Sequence, residues 1–195
     1  QRLTFDGLLT IDEKGEYVPR LAAEVPTVEN GGVSADARTY TFKLRRGVKW
    51  QDGAPFTSAD VEFTWKVITD PKLPVPSRVV WADVSRVEMP DSHTVRFHFE
   101  KPNLVFLGTL ASDRGYIVPK HLLEGKDIAN SEFNRRPVGT GAFVVKEWVA
   151  GSHVQLSRNP DYWEAGKPSL DEVLVRIIPG TAAQRAALQR QEVDL

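Results

Sequence analysis

Hydrophobic and polar side chains alternate most cleanly over residues 39–45. Tyr40, Phe42 and Leu44 fall on one face and Thr41, Lys43 and Arg45 on the other, which predicts a half-buried strand of period two. The same alternation returns over residues 94–100, with Val95, Phe97 and Phe99 set against Thr94, Arg96 and His98. A strand over residues 84–88 precedes it across the turn Pro90-Asp91-Ser92. Between the first two, Thr57 and Asp60 read as a capping box, Val61, Trp65 and Ile68 as an apolar helix stripe, and Asp70-Pro71 as its end. Residues 1–25 predict a short helix around 3–9, a turn at 12–15 and an amphipathic turn at 19–24. Residues 104–110 read as helical, a short apolar run at 116–118 meets Pro119 at the start of another helix, and residues 124–136 read as loop.

After Arg136-Pro137 the composition shifts, which marks a domain boundary dividing the chain into residues 1–136 and 137–195. Residues 142–148 and 152–158 form a hairpin turned at Ala150-Gly151, and Asn159-Pro160-Asp161-Tyr162-Trp163 makes an aromatic turn. A strand over 173–178, a helix from Thr181 to Gln189 and a strand opening at Val193 predict a parallel β–helix–β unit. The fold class expected is mixed α/β (α+β) with largely antiparallel sheets.

Charge and composition narrow the chemistry. With 25 Lys+Arg against 26 Asp+Glu, the chain lacks the basic excess that a nucleic acid or an anionic membrane surface demands. The absence of Cys removes disulfides, thiolate zinc sites and Cys nucleophiles together. No apolar run reaches the roughly 18 residues that a spanning helix needs. His93, His98, His121 and His153 are scattered without metal-ligand spacing, and no Gly-x-Ser-x-Gly elbow occurs. Gly139-Thr140-Gly141 precedes a strand instead of a helix, so it is not a dinucleotide cradle. No catalytic residue, metal site or cofactor is therefore expected. Among the Trp residues, Trp65 and Trp148 sit on regular elements and are expected in the core. Trp81 follows Pro74-Val75-Pro76-Ser77-Arg78 in an irregular segment, where a loop aromatic suits a ligand cleft.

Three stretches together resemble one family. Residues 44–61, LRRGVKWQDGAPFTSADV, resemble the first signature of the periplasmic oligopeptide/dipeptide-binding proteins, the family-5 solute-binding proteins of ABC importers. Pro137-Val138-Gly139-Thr140-Gly141-Ala142-Phe143 through Asn159-Pro160-Asp161-Tyr162-Trp163 resembles the second, and Ile178-Pro179, Arg185, Ala187-Leu188 and Glu192-Val193-Asp194 the third. The similarity runs from about Phe5 to the last residue.

The resemblance implies a two-lobed, monomeric receptor that closes on a peptide or comparable small solute by hinge motion and delivers it to a membrane permease. It implies a periplasmic or membrane-anchored extracellular location. Residues 1–136 would be the smaller extra domain and 137–195 part of the first main lobe, with the second lobe absent. The opening at Gln1 has no Met, basic n-region or apolar h-region, so an export signal is expected to be absent from this chain. The close on Glu192-Val193-Asp194-Leu195, read as a strand start, suggests a piece of something longer. Positions carried over as cleft-facing are Trp81, Arg78, Arg114, Ser112, Gly139, Thr140 and Gly141, with either Arg available to pair a ligand carboxylate. Peptides, nickel chelates, opines and oligosaccharides all remain open as ligands, because backbone-directed binding leaves little trace in side chains. A signalling or interaction domain on the same scaffold is the remaining alternative, and a hydrolase is disfavoured because no nucleophile–base pair can be read.

Overall fold

The computed structural model describes residues 3–194. Its elements run β1 (Leu9–Ile11), β2 (Tyr17–Pro19), β3 (Thr39–Lys43), α1 (Ser58–Thr69), β4 (Val84–Asp91), β5 (Thr94–Phe99), α2 (Phe106–Leu110), α3 (Lys120–Leu123), β6 (Phe143–Val149), β7 (His153–Arg158), β8 (Glu172–Arg176) and α4 (Thr181–Gln189). Two short 3-10 turns add Trp81–Asp83 and Glu132–Asn134. The strands form a β1–β2 ribbon and two three-stranded sheets, ordered β3–β5–β4 and β6–β7–β8. Every strand pair in them is antiparallel.

The middle sheet carries the core. Tyr40 and Phe42 of β3 pair with Phe97 and Val95 of β5, so the inward faces meet as aromatic and β-branched cross-strand pairs. Phe106 lies between them, its ring 4.9 Å from Phe97 and 4.8 Å from Phe99 in edge-on packing. α1 lies over this sheet with Val61 fully buried, and Trp65 and Ile68 packed against the core. The Asp60 carboxylate accepts the Thr57 N–H at 2.9 Å, as the sequence pattern requires, and its other oxygen accepts the Lys120 N–H at 3.0 Å. One acidic side chain thus anchors the starts of both α1 and α3.

The structure departs from the sequence reading in four places. The helix expected around residues 3–9 does not form: residues 3–8 are turn and irregular chain with one bridge from Gly7 to Tyr116, and they lead into β1, which Asp12 turns into β2 by accepting the N–H groups of Lys14 and Glu16 on its carboxylate. So short an apolar run cannot repay helix nucleation, whereas pairing satisfies its backbone at once. The helix α4 begins after Gly180 at φ +84°, with no side-chain cap from Thr181. No strand follows α4 within the described residues, and β8 pairs antiparallel with β7, so the parallel β–helix–β unit is not present there; Leu195 lies outside the described residues. Finally, Trp148 is 51% exposed instead of buried, on a sheet whose outer face is bare.

Candidate functional site

Trp81 enters the core because of the residue before it. Val80 adopts φ 73°, a region that costs a β-branched side chain strain, and the chain then reverses into the 3-10 turn. This rotates the Trp81 indole inward, where it has no exposed surface and lies edge-on to Phe97 and Phe106. Its Nε1–H donates to the Arg114 carbonyl at 3.1 Å, and its own carbonyl accepts from the Trp65 indole at 3.3 Å. Trp81 is therefore a core residue that fastens the 111–116 loop, and the expectation that its ring lines a cleft is corrected. The residue that points outward from this segment is Val79, 68% exposed, which no periodicity singled out.

Arg78 is also committed. Its guanidinium donates to the carbonyls of Asp70 and Leu73, closing the Pro-rich connection after α1, so a carboxylate would have to displace internal bonds. Arg114 remains exposed with no acidic partner among the described residues, and Ser112 Oγ donates to the Thr109 carbonyl at 2.7 Å while accepting the Arg114 N–H at 3.2 Å. Thus Trp81, Ser112 and Arg114 are brought together, with the Trp as buttress and the Arg as the free group.

Gly139, Thr140 and Gly141 lie elsewhere and are buried. A Cβ on Gly139 would stand 1.8 Å from the Thr4 carbonyl oxygen, and one on Gly141 would stand 2.6 Å from the Thr4 carbonyl carbon. The Gly141 N–H donates to that Thr4 oxygen at 2.9 Å. Gln51 completes the joint: its Nε2 donates to the carbonyls of Gly141 and Phe143, and its Oε1 accepts the Gly139 N–H. Asn159 Nδ2 also donates to Gly141, at 3.0 Å. The glycines are there because backbone must touch backbone. Their expected role in lining a ligand site is corrected to that of a splice between the first residues, the 51 turn and β6.

Two of the open clefts among the described residues are lined by none of the seven expected positions. One, of about 780 Å³, runs between the 129–136 segment and β6 past Arg135, Arg136, Lys146 and the exposed Trp148. The other, of about 450 Å³, is bounded by Val18, Pro19, Arg20, Arg45, Trp163, Glu164 and Ala165. Beneath it lies a dense polar cluster. Arg20 pairs with buried Asp6 at 2.8 Å and with Glu164 at 3.2 Å, and donates to the Tyr162 hydroxyl. The Trp163 indole N–H donates to the second Asp6 oxygen at 3.0 Å. Burial, reinforced by the Asp6 charge, pushes the Tyr162 phenol up to about 12. Burial opposes the Arg20 charge, but Asp6 outweighs it and raises the guanidinium further. The aromatic turn of the second signature is thus held to the first residues by charge. No group of three or more His, Asp or Glu side chains suited to a metal ion occurs among the described residues. No helix there is long and apolar enough to cross a membrane.

Known proteins share this fold. Di/tripeptide-binding protein 2 of Pseudomonas aeruginosa is 34% identical over 202 residues, covering 92% of this chain and 37% of that protein. The solved structure of NikZ from Campylobacter jejuni, in complex with Ni(L-His), superposes with a TM-score of 0.89 at 29% identity, covering 98% of this chain and 37% of that one. The oligopeptide-binding protein AppA of Bacillus subtilis, solved with a nonapeptide, superposes with a TM-score of 0.88 at 29% identity and the same coverages. The chain therefore spans little more than a third of the length of these relatives. The model of the bacterial extracellular solute-binding proteins, family 5 Middle, matches residues 16–195, and the chain belongs to that family.

Proposed function

We propose that this chain is the front portion of the substrate-binding component of an ABC importer, which captures a peptide or similar small solute outside the cytoplasm and passes it to a membrane permease. The observation that carries the reading is family membership joined to an unfinished surface. In the C-terminal region Leu174, Val175, Ile177 and Leu188 are 57%, 44%, 42% and 51% exposed. Apolar side chains so displayed are surface that another layer would cover. Residues 137–195 fit part of a main lobe whose remainder lies outside this chain, and residues 1–136 fit a domain resting beside it.

On this reading the ligand cleft forms between this portion and the rest of the receptor. From this side, Arg114 and Ser112 on the loop buttressed by Trp81 face the ligand, and Arg114 pairs a terminal or side-chain carboxylate. No step of bond making is assigned to the site; closure needs only that the ligand bind the closed state better than the open one. Peptide is the favoured solute because AppA and the Pseudomonas relative carry that name, while NikZ keeps a metal chelate as the second reading.

The test is a thermal-shift panel of di-, tri- and oligopeptides, Ni(L-His), an opine and an oligosaccharide on the full-length receptor. A native-state binder at 100 times its dissociation constant stabilises by about 2.7 kcal/mol, which raises the melting temperature measurably. A shift with peptides alone is expected. A shift only with the chelate, opine or sugar overturns the peptide assignment and keeps the receptor, whereas peptide turnover overturns both.

A further inference from the structure

The two arginines above Trp163 are in different states. Both guanidinium carbons lie over the indole ring, Arg20 at 4.9 Å and Arg45 at 4.6 Å from its centroid. Arg20 is saturated: Asp6, Glu164 and Tyr162 together take its Nε, Nη1 and Nη2. Arg45 has one bond, from Nε to the Arg20 carbonyl at 2.8 Å. Its two Nη groups meet no acceptor among the described residues, and neither is sealed from solvent. Arg45 also has no carboxylate within ion-pair distance, although it is only partly exposed.

The local charges make that isolation meaningful. Asp6 and Glu164 are matched by Arg20 and by Lys167, which pairs with Glu164 at 2.6 Å. Tyr162, with its phenol pushed up to about 12, stays neutral near pH 7. Arg45 is the unmatched cation on the wall of the 450 Å³ cleft. Its stem is fixed by one hydrogen bond and its plane by the indole, so little rotamer freedom is left to lose on binding. A guanidinium held at both ends, with one fork open, suits the two oxygens of a carboxylate. The cleft is within the size range of small-molecule sites, and Val18, Pro19 and Ala165 supply apolar wall.

We propose that Arg45, seated on Trp163, forms a subsite for a small organic carboxylate. It shares no lining residue with the Trp81–Ser112–Arg114 region and does not depend on the receptor reading. Glu164 on the same wall sets the selectivity: it repels a second carboxylate placed near it, so a monoanion binds better than a dianion of equal size.

The experiment is an NMR titration of the full chain, following the Arg45 side-chain nitrogens and the Trp163 indole N–H, with propionate, succinate and chloride as separate probes at constant ionic strength. Saturable shifts at both groups with propionate are expected at millimolar concentration or below, with succinate weaker and chloride without saturation. Arg45→Gln should weaken propionate at least tenfold, and Arg45→Lys, which keeps the charge but loses the fork, should weaken it severalfold. Linear shifts, equal saturation by chloride, or saturation that leaves Arg45 unmoved while other residues respond would each overturn the proposal. The wild-type titration alone decides these outcomes if a variant fails to fold.

Discussion

Two regions of the chain are built on opposite terms. From β1 to α3, apolar residues converge on one interior, where Phe42, Trp81, Phe97 and Phe106 have at most 1% of their surface exposed. From β6 to α4 the strands pair just as regularly, yet β8 has no buried residue and α4 buries only Ala187. Backbone pairing is satisfied equally in both, so pairing does not separate them. The difference is that a sheet needs a covering layer to remove its apolar face from water, and the second region has none among the described residues. On the reading proposed above, the first region carries the core, with Val138 and Trp163 packed against it, and the second is one half of an interface.

That contrast can be tested by truncation. Phe106→Ala should destabilise the chain by about 3–5 kcal/mol, because a ring packed on five aromatic neighbours leaves a cavity the sheet cannot close. Leu174→Ala, on exposed β8, should stay within about 0.5 kcal/mol. Urea unfolding of the two variants measures both, and comparable losses would show that the second region has a core of its own.

The splice between the regions gives the next effect. Gly139→Ala drives a methyl to 1.8 Å from the Thr4 carbonyl oxygen, and should cost about 1–3 kcal/mol or more through forced backbone movement. Gly151→Ala, at φ +75° in the β6–β7 hairpin with open space around it, should cost about 1–2 kcal/mol through conformational strain alone. The sharper discriminator is hydrogen exchange. Gly139→Ala should speed exchange at the Gly141 and Phe143 amides, which donate to the Thr4 and Leu3 carbonyls, and Gly151→Ala should leave them slow.

The smallest effect is a titration. The Tyr162 phenol is raised in the fold to about 12, so the folded state holds that proton more tightly than the unfolded chain. Its stabilising contribution is therefore complete below about pH 10, the ordinary tyrosine value, and is lost as pH rises through 12. Ultraviolet titration should show a tyrosine ionising near 12 that disappears in Tyr162→Phe. Ionisation of that group near 10 would mean the Asp6–Arg20–Tyr162 joint is open in solution.

Much of the architecture was legible along the chain. Period-two alternation placed β3 and β5, the Thr57/Asp60 pattern placed the start of α1, and Ala150-Gly151 placed the β6–β7 turn, because each depends on contacts within a few residues or on one buried face. The candidate site was much less legible. Trp81, in an irregular segment, reads as a cleft residue until Val80 is seen to turn it inward, and Trp148, on a regular strand, reads as core until its sheet is seen to be uncovered. The Gly139–Gly141 run shows close approach of some backbone but not whose. Nothing local pairs Asp6 with Arg20, or Trp163 with Arg45.

By itself the sequence determined the element order from β3 to α4, the largely antiparallel character and the family, since periodicity, turn chemistry and signature residues are local properties of the chain. Tertiary structure alone decided which aromatics are core, which glycines join distant segments and which arginines, Arg45 and Arg114 among them, are left without an anion. Those outcomes depend on side chains up to 157 positions apart, as Asp6 and Trp163 are, and burial and charge balance exist only once the chain has brought them together.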